Sequence, residues 1–419
     1  MGRKSHAGSV ESLASPEEPA LPRLALVVDP SPPALETPTT VIMTRAGFAA
    51  TALSFILIGA NASLLGPLLI TFGQRFQISP AVAGRILSVF FAGALLGVVP
   101  GWLGVKRLAG GRVLRVALLV IALGAGGASF ATRWSLLLAS IFILGIGFGA
   151  VTITVNTLLA RTPEVGRAVR LSVANAAYGV GAIFTPLVLA AIKPARYPGV
   201  FATLAVLSAL LAVATGGVHA RPHREESRVR SSIDAARRRR ILATFIVAYV
   251  FYEALESSSS GWMASQLHGA GYSDHVAIVV TAGFWIGMTV IRSLGGVLHR
   301  LFSAQAVVLG SLILAIIAGL SISSSAVAPV GYLALGMILA SVFPMGLMWF
   351  SIVTPHDSDG MSLLILFNMA GGILGPGAID LLVAHQGVRV VPFAIAVLAC
   401  VDLALFASVL RFGRSATSS

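Results

Sequence analysis

Long apolar runs, almost free of charge, alternate with short polar connections over most of this chain, and that alternation restricts its fold more than any other feature. A run of about 20 apolar residues is long enough to cross the hydrocarbon core of a bilayer as a helix. Such runs are helical because a bilayer holds no water to satisfy free peptide groups. We predict twelve membrane-spanning helices, at residues 46–72, 81–104, 113–131, 135–159, 168–191, 198–217, 241–268, 275–299, 303–322, 328–352, 361–383 and 388–411.

Composition favours a membrane protein and excludes a soluble one. Of the 419 residues, 56% are hydrophobic and 11% are charged, whereas soluble domains contain about 25% charged residues. The single cysteine, Cys400, excludes a disulfide framework, and the eight histidines show no metal-ligand spacing. The glycines at 145–149 lie inside an apolar run, so they do not form a nucleotide-binding loop. We therefore expect no cofactor, no metal and no enzymatic activity.

The spans form two groups of six, separated by a polar segment. Residues 1–40 are rich in Pro, Ala, Ser and Glu, a composition that is typical of segments unable to form a core. We predict a disordered cytoplasmic tail at 1–45, a six-helix half at 46–217, a basic cytoplasmic linker at 218–240, a second six-helix half at 241–411 and a cytoplasmic tail at 412–419. Met43 is an alternative start.

Basic residues are distributed unevenly between the two sets of connections. With the N-terminus in the cytoplasm, 22 of the 29 basic residues fall on the cytoplasmic side. The positive-inside rule then predicts a protein of the inner (plasma) membrane with both termini in the cytoplasm. The net charge of +13 comes from short runs between apolar segments, so it indicates contact with lipid headgroups rather than with nucleic acid.

The two groups of spans resemble each other in sequence, which indicates an internal repeat. Four residues of the second span recur 194 positions later: Phe90, Gly93, Gly101 and Lys106 correspond to Phe284, Gly287, Gly295 and Arg300. Three residues of the fifth span recur 193 positions later: Asn175, Ala177 and Gly179 correspond to Asn368, Ala370 and Gly372. We expect two pseudo-symmetric halves of an all-α polytopic membrane protein.

Two similar six-helix halves joined by a linker resemble the major facilitator superfamily, in which the halves rock about a midplane site. Over residues 46–411, several strings resemble its fucose:proton symporter branch. They are Gly145-Ile-Gly147-Phe-Gly149 with Asn156, Asn175-Ala-Ala-Tyr178-Gly179-Val-Gly181 with Pro186, Tyr252 with Glu256 and Trp262, Gly283-Phe-Trp285-Ile-Gly287 with Arg292, and Phe343-Pro344. The resemblance implies a transporter that acts as a monomer on a small-molecule substrate and on protons.

Carboxylates within the spans are confined to the second half. Fucose symporters carry one in the first and one in the fourth span, but the matching stretches here, Asn61-Ala-Ser63-Leu and Gly149-Ala-Val-Thr152, contain no acid. In the seventh span, Glu253 and Glu256 lie three residues apart and therefore share a helical face. We predict that they couple transport to protons, Glu256 first because it matches the family position. Alternatively, one of them pairs with Arg292 or Arg85 and only fixes helix packing.

Uncharged polar and aromatic residues are candidates for binding a hydroxyl-rich solute. They are Asn61, Asn156, Tyr252, Gln266 and Trp285. The alternative for the amides is hydrogen bonding between helices, and for the tryptophan it is packing. Three basic residues are candidates for gating or salt bridges: Lys106, Arg292 and Arg300. Asp380 and Asp402, in the last two spans, receive no firm role.

Three functions fit the sequence. The first is secondary active import of a sugar-like polar solute with protons, by alternating access. The second is proton-coupled export of a natural product or drug, which a mostly apolar cavity would suit. The third is a non-transporting membrane receptor whose tail and linker bind partners. Growth on a sole carbon source would favour import, and resistance to a toxic compound would favour export.

Overall fold

The structure, a computed structural model, describes residues 42–160, 167–215, 218–219, 235–294, 298, 300–355 and 357–413. Most of the predicted N-terminal tail, most of the linker and the last six residues lie outside this range. The described helices are α1 Arg45–Phe76, α2 Pro80–Arg107, α3 Gly110–Ser129, α4 Trp134–Ala160, α5 Arg167–Ile192, α6 Tyr197–Ala214, α7 Ala235–Gly269, α8 Asp274–Ser293, α9 Ala304–Ser321, α10 Ala328–Leu339, α11 Val342–Val353, α12 Ser358–Gln386 and α13 Val391–Gly413.

Twelve described segments are long and apolar enough to cross a membrane, with α10 and α11 together forming the tenth. Where the structure describes a whole connection, as at 77–79, 108–109 and 270–273, it is short and reverses the chain, so the spans on either side are antiparallel. We call the end of the bundle that holds Thr44, Arg107 and Asp357 the linker end, and the opposite end, with Phe76 and Asp274, the distal end. The predicted all-helical membrane fold with two six-helix halves is confirmed.

Several element ends differ from the prediction. Helix α7 begins at Ala235, so the Arg237–Arg240 run extends that helix instead of ending the linker. A two-residue strand β1 (Ile42–Met43) pairs antiparallel with β2 (Val218–His219), in segments predicted as tail and linker. Hydropathy could not reveal this pair, since two residues carry no periodicity. The tenth span, predicted as one helix, is interrupted at Ala340 and Ser341.

The internal repeat is visible in the helix starts and in the contact between the halves. Ser79 caps α2 by accepting the amide of Val82, and Ser273, 194 residues later, caps α8 by accepting the amide of Val276. A Cβ on Gly179 of α5 would overlap Thr289 of α8, and a Cβ on Gly372 of α12 would overlap Phe91 of α2. The halves therefore meet along two equivalent pairs, α5 with α8 and α2 with α12.

Candidate functional site

The break in the tenth span exposes backbone acceptors in the interior of the second half. Pro344 has no amide hydrogen, so it cannot donate to the carbonyl of Ala340 four residues earlier. Within a bilayer a free carbonyl needs another donor. The side chain of Arg292 on α8 supplies one, with Nε 3.4 Å from the oxygen of Ala340. The hydroxyl oxygen of Tyr252 on α7 lies 3.1 Å from the adjacent carbonyl oxygen of Leu339.

Arg292 and Tyr252 also converge on the carboxylate of Glu256. Nη2 of Arg292 lies 3.0 Å from Oε2 of Glu256 in an ion pair, and the Tyr252 hydroxyl donates to the same oxygen. The arginine side chain is 25% exposed and the glutamate side chain 12%. This arrangement ties α7, α8 and the break in the tenth span together through one charged pair. The sequence left such a pairing with Arg292 open as an alternative.

Glu253 has a different partner from Glu256. Its Oε2 accepts a hydrogen bond of 2.5 Å from Nδ2 of Asn368 on α12. Glu253 is half-buried, and among the described residues no cation lies within ion-pair distance of it. The two glutamates therefore do not bond to each other, although they occupy neighbouring positions on α7. One carboxylate is balanced by a cation, and the other is bound by a neutral amide.

Helix α5 of the first half contributes a tyrosine to this region. The ring of Tyr178 packs edge-on against Trp285 of α8, with 6.1 Å between the ring centroids. The Tyr178 hydroxyl interacts electrostatically with Glu256, Arg292 and Glu253. The indole Nε1 of Trp285 is buried without a hydrogen-bond partner, and so is Oδ1 of Asn368. The cluster thus lies on α7, α8 and α12 of the second half, beside the contact of α8 with α5 of the first half.

The predicted substrate residues fall into three groups. Tyr252 and Trp285 belong to the cluster, whereas Asn156 and Asn61 on the first half bond to their own helices. Nδ2 of Asn156 donates to the carbonyl of Thr152 at 2.9 Å, and Nδ2 of Asn61 donates to that of Leu57 at 2.7 Å. Gln266 lies near the distal end, where Nε2 is 3.5 Å from the carbonyl of Ile322. Its contact is one between helices, as the alternative interpretation held.

Two of the three predicted gating residues lie away from the cluster. Lys106, near the linker end of α2, has its Nζ 3.8 Å from the ring centroid of Trp102. Arg300 is exposed. Arg292 alone of the three reaches the glutamates. The repeat relationship between Lys106 and Arg300 therefore does not place them at the same site as Arg292.

Asn368 and Tyr178 are two members of the cluster that the sequence analysis did not assign to the site. Asn368 was visible as the repeat partner of Asn175, and Tyr178 lay in a string shared with the symporters. For Asn368 the available signal was a polar residue in a repeated position, and for Tyr178 it was the shared string. Their role could not be read further, because the contact with Glu253 depends on how α12 is rotated and shifted against α7.

Known proteins resemble the whole of this architecture. A sequence profile described as Major Facilitator Superfamily matches residues 51–360. "Glucose/mannose transporter GlcP" of Bacillus subtilis (strain 168) is 22% identical over 298 residues, which are 67% of this chain and 74% of that protein. The crystal structure of a D-xylose-proton symporter superposes with a TM-score of 0.72 at 13% identity, covering 86% of this chain and 96% of that one.

The crystal structure of the nucleoside transporter NupG, solved as a point mutant, superposes with a TM-score of 0.70 at 15% identity, covering 87% of this chain and 99% of that one. At such identities the solved structures show the shared fold, and the profile match spans well over half of this chain. The molecule is a multi-pass membrane transporter rather than an enzyme. The chain belongs to the Major Facilitator Superfamily.

Proposed function

We propose that this protein is a proton-coupled secondary transporter that moves a small, polar, sugar-like solute by alternating access. The observation that carries the proposal is the cluster of Glu253, Glu256, Arg292 and Asn368 inside the second half, next to the contact of Trp285 with Tyr178 of the first half. Charged side chains inside a bilayer are costly and usually serve transport or proton transfer. Rocking of the halves alters this contact, so binding at the cluster biases the equilibrium between the two states.

The two glutamates take different parts in the proposed mechanism. Glu253 has only a neutral amide as its polar side-chain partner among the described residues, so a proton on Glu253 removes an uncompensated interior charge. The charge of Glu256 is already balanced by Arg292. We infer that Glu253 carries the proton in this conformation, and that the Glu256–Arg292 pair acts as a gate, joining α7 to α8 and the tenth span.

Unused hydrogen-bonding atoms near the cluster favour a solute with several hydroxyl groups. Trp285 offers a buried donor and Asn368 a buried acceptor, and Oδ1 of Asn61, on α1 outside the cluster, is a further buried acceptor without a partner. The relative GlcP is a glucose/mannose transporter by name, and the motif resemblance to fucose symporters remains a prediction in the same direction. We propose Asn156, Asn61, Tyr252 and Trp285 as substrate contacts, and we do not include Gln266.

The remaining assignments follow the sequence. We propose a monomer in the inner (plasma) membrane, with both termini in the cytoplasm. The basic linker end then faces the anionic cytoplasmic leaflet, which attracts lysine and arginine side chains. Lys106 and Arg300 are proposed to contribute to gating at that surface rather than at the cluster.

The test is sugar-driven proton movement in liposomes that contain purified protein. Glucose, mannose, xylose and fucose are added outside in turn, and a pH electrode records alkalinisation of a weakly buffered medium. A second assay measures counterflow of the labelled sugar, which needs binding and rocking but no net proton transfer. We expect Glu253→Gln to abolish alkalinisation and to retain counterflow, and Glu256→Gln to reduce both.

The matched control is Asp274→Asn, which also replaces a carboxylate by an amide but at a half-exposed distal position. It should behave as the wild type. Intact alkalinisation in both glutamine variants would remove the glutamates from the coupling mechanism. If amphiphilic drugs rather than sugars move protons, the protein is the exporter that the sequence left open.

A further inference from the structure

A second carboxylate lies between the two halves, far from Glu253 and Glu256. Asp380 on α12 is near the distal end, twelve residues beyond Asn368, which corresponds to about 18 Å along the helix axis. Its side chain and the indole of Trp262 on α7 both lie directly over Gly84 of α2, where a Cβ would overlap them. The second half thus places the carboxylate of Asp380 and the indole of Trp262 against the backbone of a glycine, Gly84, in the first half.

This contact belongs to a closed distal end. On α1, a Cβ at Gly66 would overlap the backbone of Ser260 and Gly261 on α7. Closer to the middle of the bundle, Oγ of Ser88 on α2 donates to the carbonyl of Ile373 on α12 at 3.0 Å. Opening of the distal end would separate these helices, so it would also uncover Asp380.

The closed contact leaves Asp380 poorly satisfied. The residue is 6% exposed, and its Oδ1 is buried without a hydrogen-bond partner. Trp262 is fully buried, and its Nε1 also lacks a partner. Arg85, next to Gly84 on α2, is exposed and is the charged side chain that interacts electrostatically with Asp380, but the two are not within ion-pair distance. Trp262, which faces it from α7, carries no titratable group.

We propose that Asp380 is a proton-binding gate residue that keeps the distal end closed when it is protonated and favours its opening when it is ionised. In the closed state an ionised Asp380 would be a buried, unpaired charge, which is costly. In the open state water and Arg85 solvate the same carboxylate. Proton binding and closure are therefore linked, because a ligand that binds one conformation better shifts the population towards it.

Asp380 adds proton-dependent closure of the distal end, a step that the proposed coupling mechanism at Glu253 and Glu256 does not contain. With both termini in the cytoplasm, Asp380 meets protons from the outside whenever the distal end opens. An acidic exterior then closes the distal end by a route that needs no substrate. This proposal does not depend on whether Glu253 and Glu256 couple transport to protons.

The test is a distance measurement between spin labels at the distal end, as a function of pH and without substrate. Labels are placed at Thr132→Cys, between α3 and α4, and at Ser324→Cys, between α9 and α10, since both positions are exposed. The exposed native thiol is removed by Cys400→Ser. Protein in lipid nanodiscs is measured by double electron–electron resonance from acidic to alkaline buffer.

We expect the ratio of long to short distances to rise with pH, by up to about tenfold per pH unit for one linked proton. Asp380→Asn should hold the short distance at every pH. Arg85→Gln should keep the transition but move it to higher pH, because the ionised acid loses a nearby cation. Glu253→Gln should retain the part of the transition that Asp380→Asn removes.

An unchanged pH dependence in folded, monodisperse Asp380→Asn protein would overturn the proposal. So would loss of the pH dependence in Glu253→Gln with an unchanged response in Asp380→Asn, since the cluster would then control the gate. The measurement uses no substrate, so failure of the sugar-driven proton assay leaves its outcome unaffected. Asp274→Asn serves again as the half-exposed distal control and should leave the distances unchanged.

Discussion

The two halves share a fold and close contacts at glycines, such as Gly371 of α12 against Val250 of α7, but they differ in the charged side chains that they carry inside the bundle. In the first half, α2 and α4 approach until their backbones touch, since a Cβ on Gly149 would overlap Ala94 and one on Gly97 would overlap Ile146. In the second half, side chains join the helices: Arg292 and Tyr252 bond to Glu256, and Arg292 also bonds to a carbonyl at the break in the tenth span. Both halves thus pack through glycines, and the second half adds an interior cluster of charged and polar side chains.

The largest effect on stability should come from the charged pair. Glu256→Gln leaves Arg292 without its carboxylate, and breaking a largely buried pair costs about 3 kcal/mol. The double variant Glu256→Gln with Arg292→Gln should lose less than the two single variants together. Chemical unfolding in detergent measures all three, and simple additivity of the losses would show that the pair is not coupled.

A smaller loss is expected from the glycine contact of the first half. Gly149→Ala forces a methyl group into the backbone of α2, and overpacking of this kind costs about 2 kcal/mol. The control is Gly310→Ala in α9, where nothing lies within 4 Å of the added methyl group. That variant should be neutral or gain up to about 1 kcal/mol, because alanine favours helix more than glycine does. Equal melting temperatures for the two variants would contradict the close approach of the backbones.

A third comparison concerns two arginines at the linker end. One binds a carboxylate, which can be protonated, and the other binds a backbone carbonyl, which does not titrate. Arg238 on α7 binds Asp357 with Nε to Oδ2 at 2.7 Å and Nη2 to Oδ1 at 2.6 Å, and Asp357 also caps α12. Burial raises the pKa of Asp357, but the hydrogen bonds from Arg238 and the Gly360 amide outweigh it and hold that pKa below its ordinary 3.8. In the first half, Arg115 bonds instead to the Ala212 carbonyl at 3.2 Å.

Because the pKa of Asp357 is lowered on folding, its stabilisation is complete above pH 3.8 and is lost as the pH falls through the lowered value. We expect Asp357→Asn to cost about 1.5 kcal/mol at neutral pH and less in strong acid. Arg115→Gln should show a loss that does not vary over this range. Unfolding curves recorded at several pH values compare the two, and a constant loss for Asp357→Asn would contradict the assignment.

The smallest effect is expected for an asparagine of the first half. Asn156 bonds to the carbonyl of its own helix at Thr152, so Asn156→Ala should change stability by no more than about 0.5 kcal/mol. Asn368→Ala should cost more, since it removes the hydrogen bond to Glu253. If Asn156 contacts substrate, its loss raises the KM for transport while the melting temperature holds. An unchanged KM would remove Asn156 from the proposed substrate contacts.

The spans and the repeat could be predicted because both follow from the order of residues along the chain, which can be read without knowing any tertiary contact. It left the Glu256–Arg292 pair open, because helical spacing shows which residues share a face but not which helix lies opposite. The contact of Asn368 with Glu253 depends on the packing of α12 against α7, which no local pattern encodes. Pro344 can be read from the sequence. The hydrogen bond from Arg292 to the carbonyl of Ala340 could not be predicted, because it depends on how α8 packs against α10 and α11.

The short β1–β2 pair has a consequence for the first half as a module. It joins the backbone just before α1 to the backbone just after α6, so the chain enters and leaves this half at one place. A module whose ends adjoin can be copied in tandem with only a short connection, because neither end has to cross the bundle to reach the next copy. Peptides inserted after His219 should likewise leave the first six helices undisturbed.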